Sequence, residues 1–306
     1  MAKPGKAWYL DKLLERLSSP RLRPPTTIKT YMETAQRFLG MFEGDNQPTD
    51  SNVRQYFMKR RNAGISERSL MKEFYHLKKL FQANAWPWEF TKDDSPYVDE
   101  KKQLPAMEPS NVELLIKARP LYTSIECFYL AVATTFIVRR EELARIKKRD
   151  YDKETFIIHT AKHGRRVQHL IPDQLKPIFL DFRAKEHTTA ALSSMFKRIC
   201  QKAGVKLLPR TGWHSLRYTL TTLIRDALIS NSYDPALVAD YGGWSKQSLG
   251  SVFGGAPMVG HYRRPELLFA DKFGGDRVIF EVHPFLKLWD NQKARRKRAD
   301  KEVPTV

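Results

Sequence analysis

The spacing of apolar residues predicts that the N-terminal part of the chain forms four amphipathic helices. Across residues 26–42 the apolar side chains recur at intervals of three and four, which places them on one helical face: Ile28, Tyr31, Met32, Ala35, Phe38, Leu39 and Phe42. Comparable stripes occupy residues 8–17, 49–63 and 66–85. Four such helices can bury their apolar faces against one another, so we expect a helical unit over residues 1–90.

The helical periodicity stops in residues 91–104, which contain Pro96 and seven charged residues. This composition is typical of a linker. A second domain is expected over residues 105–290, and residues 291–306 form a basic tail. The domain boundary is therefore predicted near residue 105.

The second domain combines helical stripes with two short segments typical of strands. Residues 155–160 (TFIIHT) and 166–172 (RVQHLIP) predict strands, and HGR at 163–165 between them suggests an antiparallel hairpin. Helices are predicted over residues 109–118, 121–137, 188–203 and 212–229. The predicted fold class is mainly α with a small antiparallel β-sheet.

A last apolar segment, residues 276–290, is too apolar for a free tail. It could dock on a neighbouring protomer, or it could form a strand or helix in the core of its own domain. The spacing of the segment is compatible with both alternatives.

The net charge narrows the class of partner. The 306 residues carry a formal charge of +19, from 53 Lys and Arg against 34 Asp and Glu. This excess favours a polyanionic partner, and nucleic acid before a membrane. No stretch approaches the roughly 18 uncharged apolar residues of a membrane helix, and the N-terminus has charges too early for a secretory signal. Two distant cysteines, Cys127 and Cys200, indicate reduced core residues of a cytosolic protein.

The basic residues most exposed in the predicted helices and hairpin are the candidate DNA-binding residues. They are Arg54, Lys59, Arg60, Arg61, Arg68, Lys72, Lys78, Lys79, Arg165 and Arg166.

A histidine and an arginine stand one turn apart at the start of an apolar helix, in GWHSLRYTLTTLIRDALI. His214 and Arg217 would share a helical face there. Such a pair suits a phosphate, because the planar guanidinium binds two oxygens and the helix N-terminus adds its positive field. Four letters are also compatible with a structural ion pair and a buried histidine that is fully hydrogen-bonded.

The order of further residues along the chain resembles the tyrosine recombinases, the phage-integrase family. Their catalytic set runs Arg, Lys, His-x-x-Arg, His or Trp, Tyr. In this sequence the matching residues are Arg139, Lys162, His214, Arg217, Trp244 and Tyr262. Arg139 is preferred to Arg140 because an acidic residue, Glu142, follows it at +3 and a leucine at +4. Glu142 would hold an arginine in place without taking part in the chemistry.

The sequence departs from the family between Trp244 and Tyr262. The family's usual gap is about nine residues; here it is 18, and the excess is glycine-rich, which indicates an inserted loop. No tyrosine follows Tyr262, and Tyr241 lies on the other side of Trp244. Tyr262 is therefore the preferred nucleophile, and whether it acts in its own active site or in a partner's stays open.

The resemblance implies site-specific DNA strand cleavage and rejoining through a 3′-phosphotyrosyl intermediate, with no cofactor and no metal. It implies a core-type DNA-binding domain over residues 1–90 and a mixed α+β catalytic domain over 105–290. The two domains would form a C-shaped clamp on double-stranded DNA. Dimers or tetramers would assemble on paired sites, with accessory DNA-bending proteins as further partners. Such an enzyme would integrate, excise or resolve a mobile element, in the cytoplasm and nucleoid or in the host cell of a virus.

Two alternatives share nearly the same residues. A type IB topoisomerase or a telomere resolvase has a similar catalytic set, and an inactive relative could bind DNA alone. The products separate them: recombinants, relaxed circles, hairpin ends or bound DNA only.

Overall fold

A computed structural model describes residues 5–18, 23–42, 47–98, 105–160, 166–244 and 273–290. The chain divides into two compact units, residues 1–102 and 103–306. Its regular structure is mostly helical, and the described residues contain one sheet of two antiparallel strands. The predicted fold class is thus confirmed.

The first unit packs four helices around one aromatic-rich core. They are α1 (Lys6–Ser18), α2 (Pro25–Leu39), α3 (Asp50–Asn62) and α4 (Glu67–Ala83). Phe38 of α2 contacts Tyr56 of α3 and Phe81 of α4, with ring centroids 5.5 and 6.1 Å apart. After α4 the chain turns back, and Trp86 and Phe90 complete the same core. The aromatic stripes that predict the helices are therefore the surfaces that hold them together.

The second unit begins with three helices and a hairpin. These are α5 (Pro109–Lys117), α6 (Ser124–Thr135), the one-turn α7 (Arg140–Leu143), β1 (Thr155–His159) and β2 (Arg166–Leu170). Short 3₁₀ turns at Arg119–Leu121 and Lys148–Asp150 join them. The strands pair in register from Thr155 opposite Leu170 to His159 opposite Arg166.

The rest of the second unit is helical. It contains α8 (Lys176–Asp181), α9 (Thr189–Lys202), α10 (Trp213–Ser230), α11 (Leu237–Tyr241), α12 (Gly274–Val282) and a final 3₁₀ turn at Leu286–Trp289. Helix α10 packs on α6 and α12. Residues Leu216, Leu220, Ile224 and Leu228 of α10 are all buried, as their spacing predicts.

The C-terminal apolar segment packs on its own domain. Ile279, Phe285 and Trp289 belong to the same core as α6 and α10. The Trp289 indole N–H donates to Thr134 Oγ1 at 3.2 Å, and Arg119 donates to the carbonyl of Asp290 at 3.0 Å. The interpretation that residues 276–290 dock on a neighbouring protomer is therefore wrong for the described residues. Their apolar side chains fill the core of their own domain.

Candidate active site

The Glu142 carboxylate holds Arg139 in place by accepting two hydrogen bonds from it. Helix α7 begins directly after Arg139, and the Glu142 carboxylate accepts from the Arg139 backbone N–H at 2.6 Å and from its guanidinium at 2.7 Å. The backbone bond caps the short helix, as an acidic residue at the third helical position commonly does. The same contact fixes the Arg139 side chain, which keeps about a fifth of its surface exposed.

The first turn of α10 brings Arg217 to the same carboxylate. The Arg217 guanidinium lies 3.8 Å from Glu142 Oε2, the oxygen that accepts from the Arg139 backbone N–H. It also donates to the carbonyl of Ile137. The start of α10 is anchored by Trp213, which is buried, packs against Phe196 and donates its indole N–H to the carbonyl of Leu192 at 2.7 Å. Trp213 therefore anchors the first turn of α10, from which the Arg217 side chain extends.

Trp244 covers the buried guanidinium. Its ring centroid lies 5.0 Å from the Arg217 guanidinium carbon, within the range of a cation–π contact. Gly242 allows this approach, because a Cβ there would lie 3.0 Å from the indole ring. Gly243 has a φ of +61°, which favours glycine. The GGW sequence is thus the local turn that places the indole over Arg217.

In the described part of the site, the two guanidinium groups outnumber the carboxylate between them. Arg139 and Arg217 share Glu142, and Arg217 is 6% exposed. Burial, and then the charge of Arg139, lower the pKa of Arg217 to about 10. The guanidinium stays protonated at neutral pH, but its charged form is less stable in this site than it would be in water. An anion placed between the two arginines would offset that cost.

His214 lies at the partly exposed edge of this cluster, one turn before Arg217. Its ring meets that of Tyr218 edge-on, with centroids 5.0 Å apart and planes at 89°. Burial alone would raise the pKa of Glu141. Its backbone, Arg140 and the charge of His214 lower the pKa by more than that, so it lies below its usual value. His214 therefore keeps an exposed edge between an acid and a tyrosine.

The two neighbouring arginines have different partners. Arg140 donates to Ser193 of α9 at 3.3 Å and to Glu141 at 3.2 Å, and it does not share Glu142. Arg139 shares Glu142 with Arg217. Of the two, Arg139 is thus the one that lies against the carboxylate contacted by Arg217.

Three of the predicted residues, Lys162, Arg165 and Tyr262, lie outside the described residues. The strands on either side of Lys162 are described, and Arg166 is exposed at the start of β2. The structure thus brings together Arg139, Glu142, His214, Arg217 and Trp244.

The structure makes Tyr241 a poorer candidate for the nucleophile and Tyr218 a better one. Tyr241 is buried, donates its hydroxyl to the Thr135 carbonyl at 3.1 Å and contacts His169. Burial, with the nearby Asp276, raises the pKa of Tyr241 well above that of a free phenol. Tyr218, which sequence reasoning missed, is 42% exposed beside His214 and interacts electrostatically with Arg217. The feature of the sequence that could have pointed to Tyr218 is its position one residue after Arg217.

The predicted DNA-binding residues of the first unit differ in their surroundings. Arg54, Arg60 and Arg61 are in ion pairs, of which the tightest joins Arg60 to the buried Glu73 at 2.7 Å. Lys59, Arg68 and Lys72 are exposed. Burial and three positive neighbours lower the pKa of Lys79; those neighbours are Arg16, Arg23 and Lys78. Arg16 and Arg23 were not predicted, because only the fold brings them to the end of α4.

The part of the chain that the structure describes contains neither a metal-binding cluster nor a membrane-spanning helix. No group of three or more His, Cys, Asp or Glu in the part of the chain that the structure describes is arranged to hold a metal ion. Among the same residues, no helix is long and apolar enough to cross a bilayer.

Glu142→Gln is expected to lower the free energy of unfolding by about 3 kcal/mol, because two neighbouring guanidinium groups would lose their shared carboxylate in a buried site. Glu141→Gln is the matched control: this half-exposed acid pairs with Arg140 at the surface, so its loss should cost less than about 1 kcal/mol. Urea unfolding of the two variants measures the difference. Equal costs would show that Glu142 does not hold the arginine pair.

Comparison with known proteins finds the fold but no sequence relative. No protein-family model and no curated protein matches the chain. A lambda integrase dimer bound to a COC′ core site superimposes with a TM-score of 0.61 at 14% identity, over 80% of this chain and 75% of that one. The XerH site-specific recombinase bound to difH, a pre-cleavage complex, gives 0.57 at 14% over 82% of both chains. The Tn1549 transposon integrase with transposon right end DNA gives 0.57 at 15%, over 79% and 92%.

These solved structures are tyrosine recombinases, and the chain has their fold. The fold predicted from the order of residues along the sequence is thereby confirmed.

Proposed function

We propose that this protein is a site-specific DNA recombinase that cleaves and rejoins strands through a 3′-phosphotyrosyl intermediate. The observation that carries the proposal is the pair formed by Arg139 and Arg217, which share one carboxylate beneath the Trp244 indole. Two neighbouring arginines that share one carboxylate are suited to an anion that has two equivalent oxygens. A phosphodiester has two such non-bridging oxygens.

The two arginines would bind the scissile phosphate and stabilise the charge that builds up during attack. Electrostatic stabilisation by donors fixed in advance is commonly the largest contribution to such reactions. Glu142 and Trp244 hold the Arg217 side chain in place before DNA arrives, so little reorganisation is needed. The exposed edge of His214 can donate a further hydrogen bond to the same phosphate.

The covalent step conserves the phosphodiester bond energy. The Tyr262 oxygen attacks phosphorus, the bond from phosphorus to the 5′-oxygen breaks, and the departing oxygen takes a proton from Lys162. The phenol proton is lost to a base as the new ester forms. Attack by another strand's 5′-hydroxyl reverses these transfers and releases the tyrosine, so neither ATP nor a metal ion is required.

The first unit would bind the duplex through its exposed cations. Lys59, Arg68 and Lys72 present charge to solvent, and the charges of Arg16, Arg23 and Lys78 add to the effect of burial in lowering the pKa of Lys79. The similar lambda integrase and Tn1549 integrase were solved with DNA, the former as a dimer. By analogy, we propose that this chain assembles as dimers or tetramers on paired DNA sites, where it integrates, excises or resolves a mobile element.

A nicked duplex that spans the ends of the element encoding the chain tests the proposal. After cleavage near the nick, the short fragment with its 5′-hydroxyl diffuses away, and a protein–DNA adduct resistant to SDS should accumulate. Intact paired ends should give recombinant junctions on sequencing. Relaxed circles or hairpin ends without recombinants would instead assign a topoisomerase or a telomere resolvase, and bound DNA without an adduct would show a catalytically silent protein.

A further inference from the structure

Two aspartates in the sequence RDYD hold the two ends of strand β1. Asp152 accepts from the backbone N–H groups of Glu154 and Thr155, each at 2.7 Å, and so starts the strand. Asp150 lies 3.2 Å from His159 Nε2 at the other end. Its second oxygen accepts from the Lys147 backbone N–H at 2.7 Å, which fixes the carboxylate. The strand is therefore held at both ends by side chains of one short segment.

His159 marks the point where the described hairpin ends. It is the last paired residue of β1, opposite Arg166 of β2. Residues 160–165, which include Lys162, join these two ends. The side chain of His159 is half exposed, whereas the Asp150 carboxylate that it contacts is 7% exposed. Because a carboxylate only accepts hydrogen bonds, the ring donates from Nε2.

The contact between Asp150 and His159 lies beside the residue that holds the arginines. Glu142, Asp150 and His159 line one small cavity of about 10 Å³, together with Val138, Ile146 and Phe156. The end of β1 and the carboxylate shared by Arg139 and Arg217 are thus packed around the same space.

We propose that His159 is a positioning residue, which rests on the function proposed above. By donating to Asp150 it holds the end of β1 at a set distance from Glu142, and so sets where the connection carrying Lys162 leaves the sheet. His159 itself does not touch the reacting phosphate. It acts on proton donation to the 5′-oxygen through Lys162, and leaves phosphate binding by the arginines unchanged.

The test compares cleavage of two nicked substrates by His159→Ala, one with a normal bridging 5′-oxygen and one with sulfur in its place. A thiolate departs without an acid, so sulfur removes the need for Lys162. On the oxygen substrate the single-turnover rate should fall between about 10- and 100-fold, the size of effect expected when a catalytic group is displaced by about 1 Å. On the sulfur substrate the rate should stay within about threefold of wild type, because the arginine pair is intact.

Two further variants separate positioning from loss of structure. His159→Gln places an amide nitrogen near the position of Nε2, and it should restore most of the rate on the oxygen substrate. Asp152→Ala removes the acceptor of the Glu154 and Thr155 N–H groups and so loosens the distant end of β1; any loss it causes should be equal on both substrates. Urea unfolding and DNA binding of every variant report whether the chain is folded.

The possible results are distinguishable. Equal losses by His159→Ala on both substrates would give His159 a purely structural role, and an unchanged rate would give it none. Either result overturns the inference while the recombinase function stands. If the wild-type chain forms no adduct on either substrate, the proposed function itself fails.

Discussion

Tyr262→Phe is expected to bind DNA like the wild-type chain and to form no covalent adduct on a nicked substrate. The substitution removes only the phenol oxygen, which is the atom that would form the ester with phosphorus. The ring remains, so folding and contacts to the duplex should be preserved. Denaturing gels of reactions with end-labelled DNA measure the adduct, and a gel shift under native conditions measures binding.

Tyr218→Phe and Tyr241→Phe are the matched controls, since each also loses a single hydroxyl. Tyr241→Phe should keep its adduct, because its hydroxyl is buried against the Thr135 carbonyl and cannot reach DNA. If Tyr262→Phe forms adduct at the wild-type rate, the nucleophile lies elsewhere. The structure then directs attention to Tyr218, which is exposed beside His214.

Lys162→Ala and Arg217→Ala are expected to fail on normal DNA and to differ on DNA with a bridging 5′-sulfur. Loss of a general acid should lower the cleavage rate on the order of 100-fold or more on the oxygen substrate. The sulfur substrate should restore Lys162→Ala to nearly the wild-type rate, since a thiol with a pKa of about 8.5 leaves without protonation. Single-turnover rates on both substrates measure the two effects.

Arg217→Ala should lose roughly 100- to 1000-fold on both substrates, because the charge that stabilises the attacked phosphate is missing in either case. Since Arg217 is buried between Glu142 and Trp244, Arg217→Lys serves as a second variant that keeps the charge. It lacks the planar fork and should also fail on both substrates. If sulfur leaves Lys162→Ala inactive, the lysine is not the acid, and His214 becomes the candidate.

The local elements could be predicted from sequence because their signals are local. Apolar side chains at intervals of three and four place a stripe on one helical face whatever lies opposite, and the four helices of the first unit follow. The two strands follow from a short turn between apolar segments. The preference for Arg139 over Arg140 has the same origin, because an acid three residues on lies within reach in one helical turn.

Contacts between distant segments depended on the tertiary structure. Glu142 meets Arg217 across 75 positions of the sequence, and the Trp244 indole reaches Arg217 only because Gly242 and Gly243 turn the chain. The sequence names these residues in order, through a family resemblance, but contains no signal for their distances. Packing of α7 on α6 and α9, packing of α10 on α6, and the GGW turn supply those distances.

The sequence by itself determined the fold class and the order of the chemical groups, because periodicity and neighbouring charges act within one or two turns. Only the tertiary structure decided which apolar segments bury each other. It placed Ile279 and Trp289 in their own domain's core, where a stripe of apolar residues cannot distinguish one apolar surface from another. It also buried Tyr241, exposed Tyr218 and joined His159 to Asp150. Burial depends on what the rest of the chain brings to a residue, and that information is not local.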